Sequence, residues 1–321
     1  MDRRTILKSA ALAAPASLMP SGYAQVKFPT KPITVYGALP AGGIMDQHLR
    51  ALGDRVQKSL GQSILIEAKP GAGATLAPTL IQNAAPDGHM LAAMTVNSLR
   101  YPHYQKTSYD PLRDFTFIVG LSNFTFGIVV HADSPWKTIE DLIAAGKAQP
   151  GRLSSGSTGH GGTGHLILLD IEQATGARFN QIPFKGGPDA MQALLGKHID
   201  FVTDGAQWAP LVQDGRLRLL AMATEQRVSL FKEAPTLRER GIDAVGWSPY
   251  GIVGPKGMAP EVVKTLHDAF KAAIEDPPID QMLEKFIQVR WYKNSNDYRA
   301  WAEQYFRDIR PTLERAGLMK S

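Results

Sequence analysis

The chain has 321 residues, of which 44% are hydrophobic and none is cysteine, and its 35 Lys and Arg against 30 Asp and Glu give a net charge of +5. The lack of cysteine excludes a disulfide framework, a thiol nucleophile, a thiolate metal site and a cysteine-linked lipid anchor. The basic residues form no dense run, which argues against nucleic-acid binding, and the small positive surplus favours a small anion as partner.

Residues 1–24 predict a signal peptide that is removed on export. A charged segment at residues 1–8 precedes a short alanine-rich apolar stretch, and Gly22-Tyr23-Ala24 ends in a small-x-small cleavage pattern. The apolar stretch is too short to span a bilayer. Arg3 and Arg4 also fit a twin-arginine signal, and an ordinary secretory signal remains the alternative.

From residue 25 onward, short apolar runs alternate with helical periodicity, which predicts an α/β fold with largely parallel sheets. Strands are predicted at residues 33–36, 63–67, 90–96, 118–130 (one or two strands), 152–154, 181–183, 201–203, 218–224 and 250–253. Helices are predicted at residues 47–60, 76–84, 139–147, 165–175, 190–195, 261–275, 278–285 and 295–315, with a kink at Pro311. No linker separates two consecutive domains, so we expect the chain to cross between lobes on extended strands.

Two glycine-rich loops carry the main functional signal. The first is Pro40-Ala41-Gly42-Gly43 with Asp46 three residues further on, and the second spans residues 156–164. Each loop follows a predicted strand and opens a predicted helix, so its backbone N–H groups and the helix dipole favour an anion. Ordinary turn chemistry is the alternative, because glycine is the usual residue of tight loops.

The sequence contains a series of short segments whose order and spacing resemble one family. They are FPTKPI (28–33), PAGG (40–43), KPGAG (69–73), APDG (85–88), YDPLRDF (109–115), PFKGG (183–187), GRLR (215–218) and APT (234–236). From residue 28 to residue 318 the chain resembles the Bug-type periplasmic solute-binding receptors of tripartite tricarboxylate transporters.

The resemblance implies a type II periplasmic-binding-protein-like fold with two α/β lobes around a ligand cleft. The first lobe would hold residues 25–124 and 226–321, and the second residues 125–225. It further implies a monomer in the periplasm, without metal or cofactor, that captures a small carboxylate for membrane transporter subunits or for a sensor.

Candidate ligand-binding residues come from the two loops and from the ends of strands, where ligands bind in open α/β sheets. The amides of Gly42 and Gly43 are expected to meet the ligand, while Asp46 braces the loop by accepting backbone N–H groups. The complete set is Pro40, Ala41, Gly42, Gly43, Asp46, Asn97, Ser98, Ser157, Thr158, Gly159, His160, Thr163, Asp204 and Gln207.

Each of these residues also has a purely structural interpretation. The hydroxyl groups of Ser157, Thr158 and Thr163 can serve turns and caps, His160 can be exposed, and Asp204 can cap a helix. Compared with the family pattern, the unusual segment His160-Gly161-Gly162 points to the second loop as the source of this chain's specificity.

Enzyme interpretations find little support in the sequence. Residues 159–164 match the dinucleotide pattern G-x-G-x-x-G, but no acidic residue follows the next predicted strand. Ser157 lacks the glycine two positions earlier that a nucleophile elbow requires, and no His-Glu-x-x-His segment occurs. We therefore expect a non-catalytic binding protein, with a ligand-presenting sensory adaptor and a secreted enzyme as the alternatives.

Overall fold

The computed structural model describes residues 28–319. The predicted signal peptide lies outside the described residues. Eleven strands occur in this part of the chain: β1 (Ile33–Gly37), β2 (Ile64–Ala68), β3 (Met90–Thr95), β4 (Phe115–Phe124), β5 (Phe126–His131), β6 (Ser154–Thr158), β7 (Asn180–Phe184), β8 (Phe201–Gly205), β9 (Leu217–Met222), β10 (Ser248–Pro255) and β11 (Val289–Lys293).

The helices surround the two sheets that these strands form. They are α1 (Ile44–Leu60), α2 (Leu76–Ile81), α3 (Val96–Arg100), α4 (Ile139–Ala148), α5 (Thr163–Thr175), α6 (Gly187–Leu195), α7 (Ala209–Gln213), α8 (Pro260–Ile274), α9 (Pro277–Lys285), α10 (Ser295–Asp308) and α11 (Arg310–Arg315). Short 3₁₀ turns occur at Ala72–Ala74, Tyr101–His103, Ala206–Trp208, Ser229–Phe231 and Arg238–Arg240.

The strands divide into a six-stranded sheet of order β11-β4-β10-β3-β1-β2 and a five-stranded sheet of order β7-β6-β8-β5-β9. We call the parts built on them the first and the second lobe. The predicted α/β fold is confirmed, but the prediction of largely parallel sheets needs correction. Strands β10 and β11 run antiparallel to their neighbours in the first sheet, and β5 does so in the second.

The chain passes between the lobes on extended backbone. Strand β4 belongs to the first sheet and β5 to the second, and only Thr125 separates them. The chain returns to the first sheet between β9 and β10. The lobe boundaries at 124/125 and 225/226 stay a prediction, because sheet membership fixes only the strands on either side.

Two differences between the predicted and the observed helices and strands have local causes. Strand β11 has no predicted counterpart, because at this edge of the sheet Val289 and Arg290 are exposed and leave no apolar run. The predicted helix 295–315 is divided at Ile309 into α10 and α11, and Pro311 lies in the first turn of α11. A proline fits there because that residue's N–H has no partner within the helix.

Strand β10 forms the centre of the first lobe, and all eight of its residues are buried. A Cβ added at Gly251 would lie 2.3 Å from the Val119 carbonyl oxygen and 2.5 Å from the Tyr298 ring. Glycine is required at this position because β4 and α10 approach the backbone closely.

We predict that Gly251→Ala lowers the free energy of unfolding by about 2 kcal/mol, since the methyl group would overpack a buried strand. Gly37→Ala is the matched control, because its added Cβ would meet only ordinary contacts, the nearest at 3.5 Å. Urea denaturation followed by circular dichroism measures both variants. Equal stability of the two variants would contradict the packing argument.

Candidate functional site

A small space, which we call the inner cavity, lies between the two sheets and has a volume of about 50 Å³. The carboxyl ends of β1, β3, β6 and β8 all lead to it, as expected for ligand sites in α/β sheets. Its lining residues are Leu39, Ile44, Ala74, Thr95, Asn97, Phe124, Phe126, Thr158, Thr163, Gly164, Gly187, Asp204, Gly205, Gln207 and Ser248.

Three helices begin at this cavity without a side-chain cap. Glycines 43, 162 and 186 occupy the N-cap positions of α1, α5 and α6, and none of these caps makes a side-chain hydrogen bond. Side-chain caps do occur in α4, at Thr138, and in α10, at Asn294, whereas α8 and α9 also lack one but do not have glycine at the N-cap. Because the first N–H groups of a helix have no partner within it, the three glycine caps leave those donors for another acceptor.

The first glycine loop uses its own glycine amides internally. The Gly42 N–H donates to Asp46 Oδ2 at 2.9 Å, and the Gly43 N–H donates to the Pro40 carbonyl at 3.3 Å. Ala41 and Gly42 are exposed, and none of residues 40–43 lines the inner cavity. The residues on either side of the loop, Leu39 and Ile44, line it instead.

Asp46 has the bracing geometry expected from the sequence. Its carboxylate is buried, accepts the Gly42 N–H, and is paired with Arg50, whose Nε donates to Oδ2 at 3.0 Å. Both bonds hold the loop against the first turn of α1. The carboxylate is therefore directed into the loop, and Asp46 is absent from the cavity lining.

The second glycine loop supplies two threonine hydroxyl groups near the cavity and two glycines that allow close packing. Thr158, at its start, and Thr163, the first residue of α5, line the inner cavity. A Cβ at Gly162 would lie 2.0 Å from the Thr158 carbonyl, and one at Gly164 would lie 1.9 Å from the Thr203 carbonyl. Only glycine therefore allows α5 to begin this close to β6 and β8.

The two histidines of this loop differ in environment. His160 is exposed, whereas His165 is buried and accepts the Gly161 N–H on Nδ1 at 3.0 Å. Burial lowers the pKa of His165 to about 4, and the charge of His160 acts in the same direction. His165 is thus a neutral residue that fixes the loop.

Ser98 and Ser157 lie outside the cavity lining. The Ser98 hydroxyl donates to the Ala74 carbonyl at 2.8 Å, and the Ser157 hydroxyl accepts from Gln181 Nε2 at 3.0 Å. Their neighbours in sequence, Asn97 and Thr158, do line it. In each adjacent polar pair, one residue therefore lines the cavity and the other makes a structural hydrogen bond.

Asp204 is a buried carboxyl group in the cavity wall. Burial raises its pKa to about 6, and hydrogen bonds from Thr158 and the Gly205 backbone oppose this shift. The Thr158 hydroxyl donates to Asp204 Oδ2 at 2.9 Å. The raised pKa allows the group to be protonated, and thus a donor, in mildly acidic solution.

Gln207 also lines the inner cavity, and its amide packs against α6. A Cβ at Gly187 would lie 2.1 Å from Gln207 Nε2, so the glycine leaves room for this side chain. Asn97, Thr158, Thr163, Asp204 and Gln207 are therefore the predicted site residues that the fold brings to one cavity.

A second space, the outer cavity, adjoins the inner one and measures about 240 Å³. The two cavities share Ala74 and Thr158. Gly159 and His160, which are predicted site residues, lie here rather than in the inner cavity. The outer cavity is lined by Gly71, Ala72, Gly73, Ala74, Tyr101, Tyr104, Gln105, Thr158, Gly159, His160, Pro183, Phe184 and Lys185.

The wall between the cavities has unusual backbone geometry. Ala72, Gly73 and Ala74 have φ values of 46°, 63° and 68°, a left-handed turn that L-residues adopt at a cost. The Ser98 hydroxyl and Thr75, which bonds the Ala72 carbonyl, hold this turn. The KPGAG segment was recognisable in the sequence, but the left-handed alanines were not.

The loops of the two lobes touch on opposite sides of the cavities. Pro40 packs against Gly186, and the Tyr104 hydroxyl donates to the His160 carbonyl at 3.2 Å. Gly73 of the first lobe also lies beside Gly159 of the second. The lobes therefore adopt a closed arrangement around the inner cavity.

One buried charge at this junction was missed by sequence reasoning. Arg100 ends α3 and is only 1% exposed, and its NH2 group donates to Asn97 Oδ1 at 2.8 Å and to Thr163 Oγ1 at 2.5 Å. Nothing in the local sequence distinguishes it from a surface arginine, because its partner Thr163 is 63 residues away. Between residues 28 and 319, no group of three or more His, Asp or Glu side chains has the geometry to hold a metal.

Comparison with known proteins agrees with this architecture. Residues 49–318 match the family model described as tripartite tricarboxylate transporter family receptor. The chain is 40% identical over the full length of both proteins to "UPF0065 protein in gbd 5'region" of Cupriavidus necator.

Two solved structures have the same fold. The periplasmic binding protein BugD is 26% identical, and the match covers 92% of this chain and all of BugD with a TM-score of 0.86. R. palustris Rpa4515, solved with adipate, is 23% identical, and the match covers 90% of this chain and 98% of that protein, also with a TM-score of 0.86.

The raised pKa of Asp204 predicts a specific pH dependence of stability. The folded state holds this proton more tightly than the unfolded chain, so the resulting stabilisation is complete below pH about 4 and is lost as the pH rises through about 6. Relative to Asp204→Asn, which can still accept the Thr158 bond, the wild-type free energy of unfolding should fall across this range.

Chemical denaturation of both proteins at about pH 4, 6 and 8 measures this difference. A difference that stays constant over the whole range would show that Asp204 titrates as an ordinary exposed carboxyl group.

Proposed function

The chain belongs to the tripartite tricarboxylate transporter receptor family, and we propose that it is a periplasmic receptor that closes on a small organic carboxylate. The observation that carries this proposal is the inner cavity, where α1, α5 and α6 begin with glycine caps. Receptors of this family bind a solute rather than convert it, so the proposed event is capture and not catalysis.

A carboxylate in the inner cavity would be held by neutral donors. Among the described residues that line it there is no Lys, Arg or His. The first-turn amides of α1, α5 and α6 and the side chains of Asn97, Thr163 and Gln207 supply hydrogen bonds, and the aligned helix dipoles supply positive potential. Such donors bind an anion without the desolvation cost of a buried cation beside it.

The predicted site residues divide by role in this proposal. Asp204, when protonated, donates to the carboxylate, while the Thr158 hydroxyl donates to Asp204, and Asp46 shapes the first loop without touching the ligand. Pro40, Ala41, Gly42 and Gly43 form the rim that meets the second lobe on closure. Ser98 and Ser157 hold the cavity walls, and Gly159 and His160 contact the part of the ligand that extends outward.

The outer cavity suggests a ligand with a second polar end. It adjoins the inner cavity and carries Lys185 and His160 beside the Tyr101 and Tyr104 rings. A dicarboxylic acid of intermediate length fits this arrangement, with one carboxylate on the helix termini and the other near Lys185. Rpa4515, which has the same fold, was solved with such an acid, adipate.

The family description supports membrane transporter subunits as the partner and the periplasm as the location. No helix in residues 28–319 reaches the combination of length and apolar character needed to cross a bilayer. The sensory adaptor remains the alternative partner role, and no observation on the described chain favours it over transport.

Isothermal titration calorimetry tests the proposed function. A panel of succinate, malate, adipate, citrate, benzoate and glutamate covers the carboxylate classes, and mass spectrometry of the recovered ligand detects turnover. We expect saturable binding of at least one dicarboxylate, with the ligand recovered unchanged. Absence of binding throughout the panel, or chemical conversion of a ligand, would contradict the proposal.

We predict that Gly205→Ala weakens binding without loss of stability. An added Cβ at Gly205 would meet only Phe124, at 3.9 Å, so the fold accommodates it. Gly205 and Phe124 both line the inner cavity, so the added methyl group would occupy space that the ligand needs. We therefore expect the Kd to rise about tenfold or more.

Gly37→Ala, which is absent from the cavity lining, is the matched control and should bind as the wild type does. Calorimetry with the ligand found above gives the Kd values, and thermal melting checks the fold. An unchanged Kd for Gly205→Ala would remove the inner cavity from the proposed site.

A further inference from the structure

Arg100 is a buried cation for which the described part of the protein supplies no counter-ion. None of the ion pairs among residues 28–319 includes it. Its Nε is buried and has no hydrogen-bond partner. A guanidinium group does not deprotonate in proteins, so its charge remains in the closed structure.

The charge of Arg100 affects the pKa values of two tyrosines. Burial raises the pKa of Tyr104, in the loop after α3, and of Tyr305 on α10, and the arginine charge opposes that shift in both. Both tyrosines are therefore neutral at physiological pH. An isolated buried charge costs several kcal/mol unless an opposite charge lies nearby.

The two acceptors of Arg100 are residues of the inner cavity, one from each lobe. Asn97 lies in α3 of the first lobe and Thr163 begins α5 of the second, and both line the cavity. The arginine therefore lies directly behind the cavity wall. A carboxylate in the cavity would place a negative charge on the other side of that wall.

The arginine also fixes the polarity of both cavity side chains. Because a guanidinium group only donates, Asn97 must present Oδ1 to it and Thr163 must accept with Oγ1. The Asn97 Nδ2 group and the Thr163 hydroxyl hydrogen then remain for the cavity. The Asn97 amide and the Thr163 hydroxyl could each donate or accept a hydrogen bond, and Arg100 leaves both of them as donors toward the cavity. Donors suit a carboxylate and do not suit a ligand that can only donate.

We propose that Arg100 is a positioning residue that makes lobe closure depend on a bound anion. The bond to Thr163 spans the lobes, so closure buries the guanidinium group, and the carboxylate in the inner cavity compensates its charge. An uncharged ligand of the same shape leaves the cost of burial uncompensated. This inference rests on the proposed function, since it specifies the charge that the same cavity selects.

A ligand-free measurement tests the closure step. The chain has no cysteine, so cysteines introduced at the exposed positions Lys58 and Lys147 label one lobe each with a nitroxide. Of the two hydrogen bonds of Arg100, only the one to Thr163 spans the lobes, and removing the uncompensated charge outweighs its loss. Arg100→Met should therefore shift the distance distribution of the ligand-free protein toward the closed state, relative to the wild type.

Arg299→Met is the control, because it removes one positive charge from an exposed site on α10. Its distance distribution should match that of the wild type. If Arg100→Met leaves the distribution unchanged, or makes the ligand-free protein more open, the proposed coupling is wrong, whichever ligand the protein binds.

A ligand-binding measurement tests the charge selection. Calorimetry compares adipate with its uncharged isostere adipamide in the wild type, Arg100→Met and Thr163→Val. Arg100→Met should reduce the preference for the acid over the amide by about tenfold or more, since the positive charge behind the cavity wall attracts the carboxylate but not the neutral amide. Thr163→Val keeps the charge and should weaken adipate binding while retaining a larger acid preference than Arg100→Met.

These outcomes separate the two proposals. If wild-type protein binds adipate and Arg100→Met keeps the same preference at unchanged thermal stability, the role of Arg100 is refuted and the receptor function stands. If wild-type protein binds no member of the carboxylate panel, the proposed function fails, and the ligand-free distances alone decide whether Arg100 opposes closure.

Discussion

The first-turn N–H groups of α1, α5 and α6 are the constraint on which the site depends. Gly43, Gly162 and Gly186 cap these helices without side chains, so the donors are left for the space between the lobes. A serine or threonine cap, as at Thr138 of α4, would satisfy them locally and stabilise the helix by about 1 kcal/mol. The three helices that begin at the inner cavity lack the stabilisation that a side-chain cap would give. Their first-turn N–H groups therefore remain as hydrogen-bond donors at a place where an anion can accept from them.

The geometry of the inner cavity relates the closure of the two lobes to the charge of the proposed ligand. The inner cavity measures about 50 Å³, and in the proposed function it holds one carboxylate group while the outer cavity holds the rest of the ligand. In the proposed complex, helix dipoles and neutral donors face the anion directly, while the full positive charge of Arg100 lies behind Asn97 and Thr163. This arrangement keeps the cation out of the cavity and still places its electric field there. In this proposal binding and closure are coupled, because a bound carboxylate compensates both the helix termini and the arginine.

Much of the architecture could be predicted from sequence because it rests on local periodicity. The alternation of strands and helices, the two glycine loops and the bracing geometry of Asp46 all follow from patterns within a few residues. The mixed direction of the sheets could not be predicted, since the placement of β10 and β11 beside β4 is a long-range pairing. The same limit applies to the side chains: Ser98 and Ser157 face the protein while Asn97 and Thr158 face the cavity, and Arg100 acquires its role only when Thr163 approaches from the other lobe.

The most direct measurement is a crystal structure of the protein with the tightest-binding dicarboxylate of the panel. We expect one carboxylate in the inner cavity, with its oxygens about 3 Å from first-turn amides of α1, α5 or α6. The chain of the ligand would then pass Ala74 and Thr158 into the outer cavity. A ligand bound elsewhere, or a carboxylate held by Lys185 with the inner cavity empty, would contradict the central claim that glycine-capped helices capture the anion.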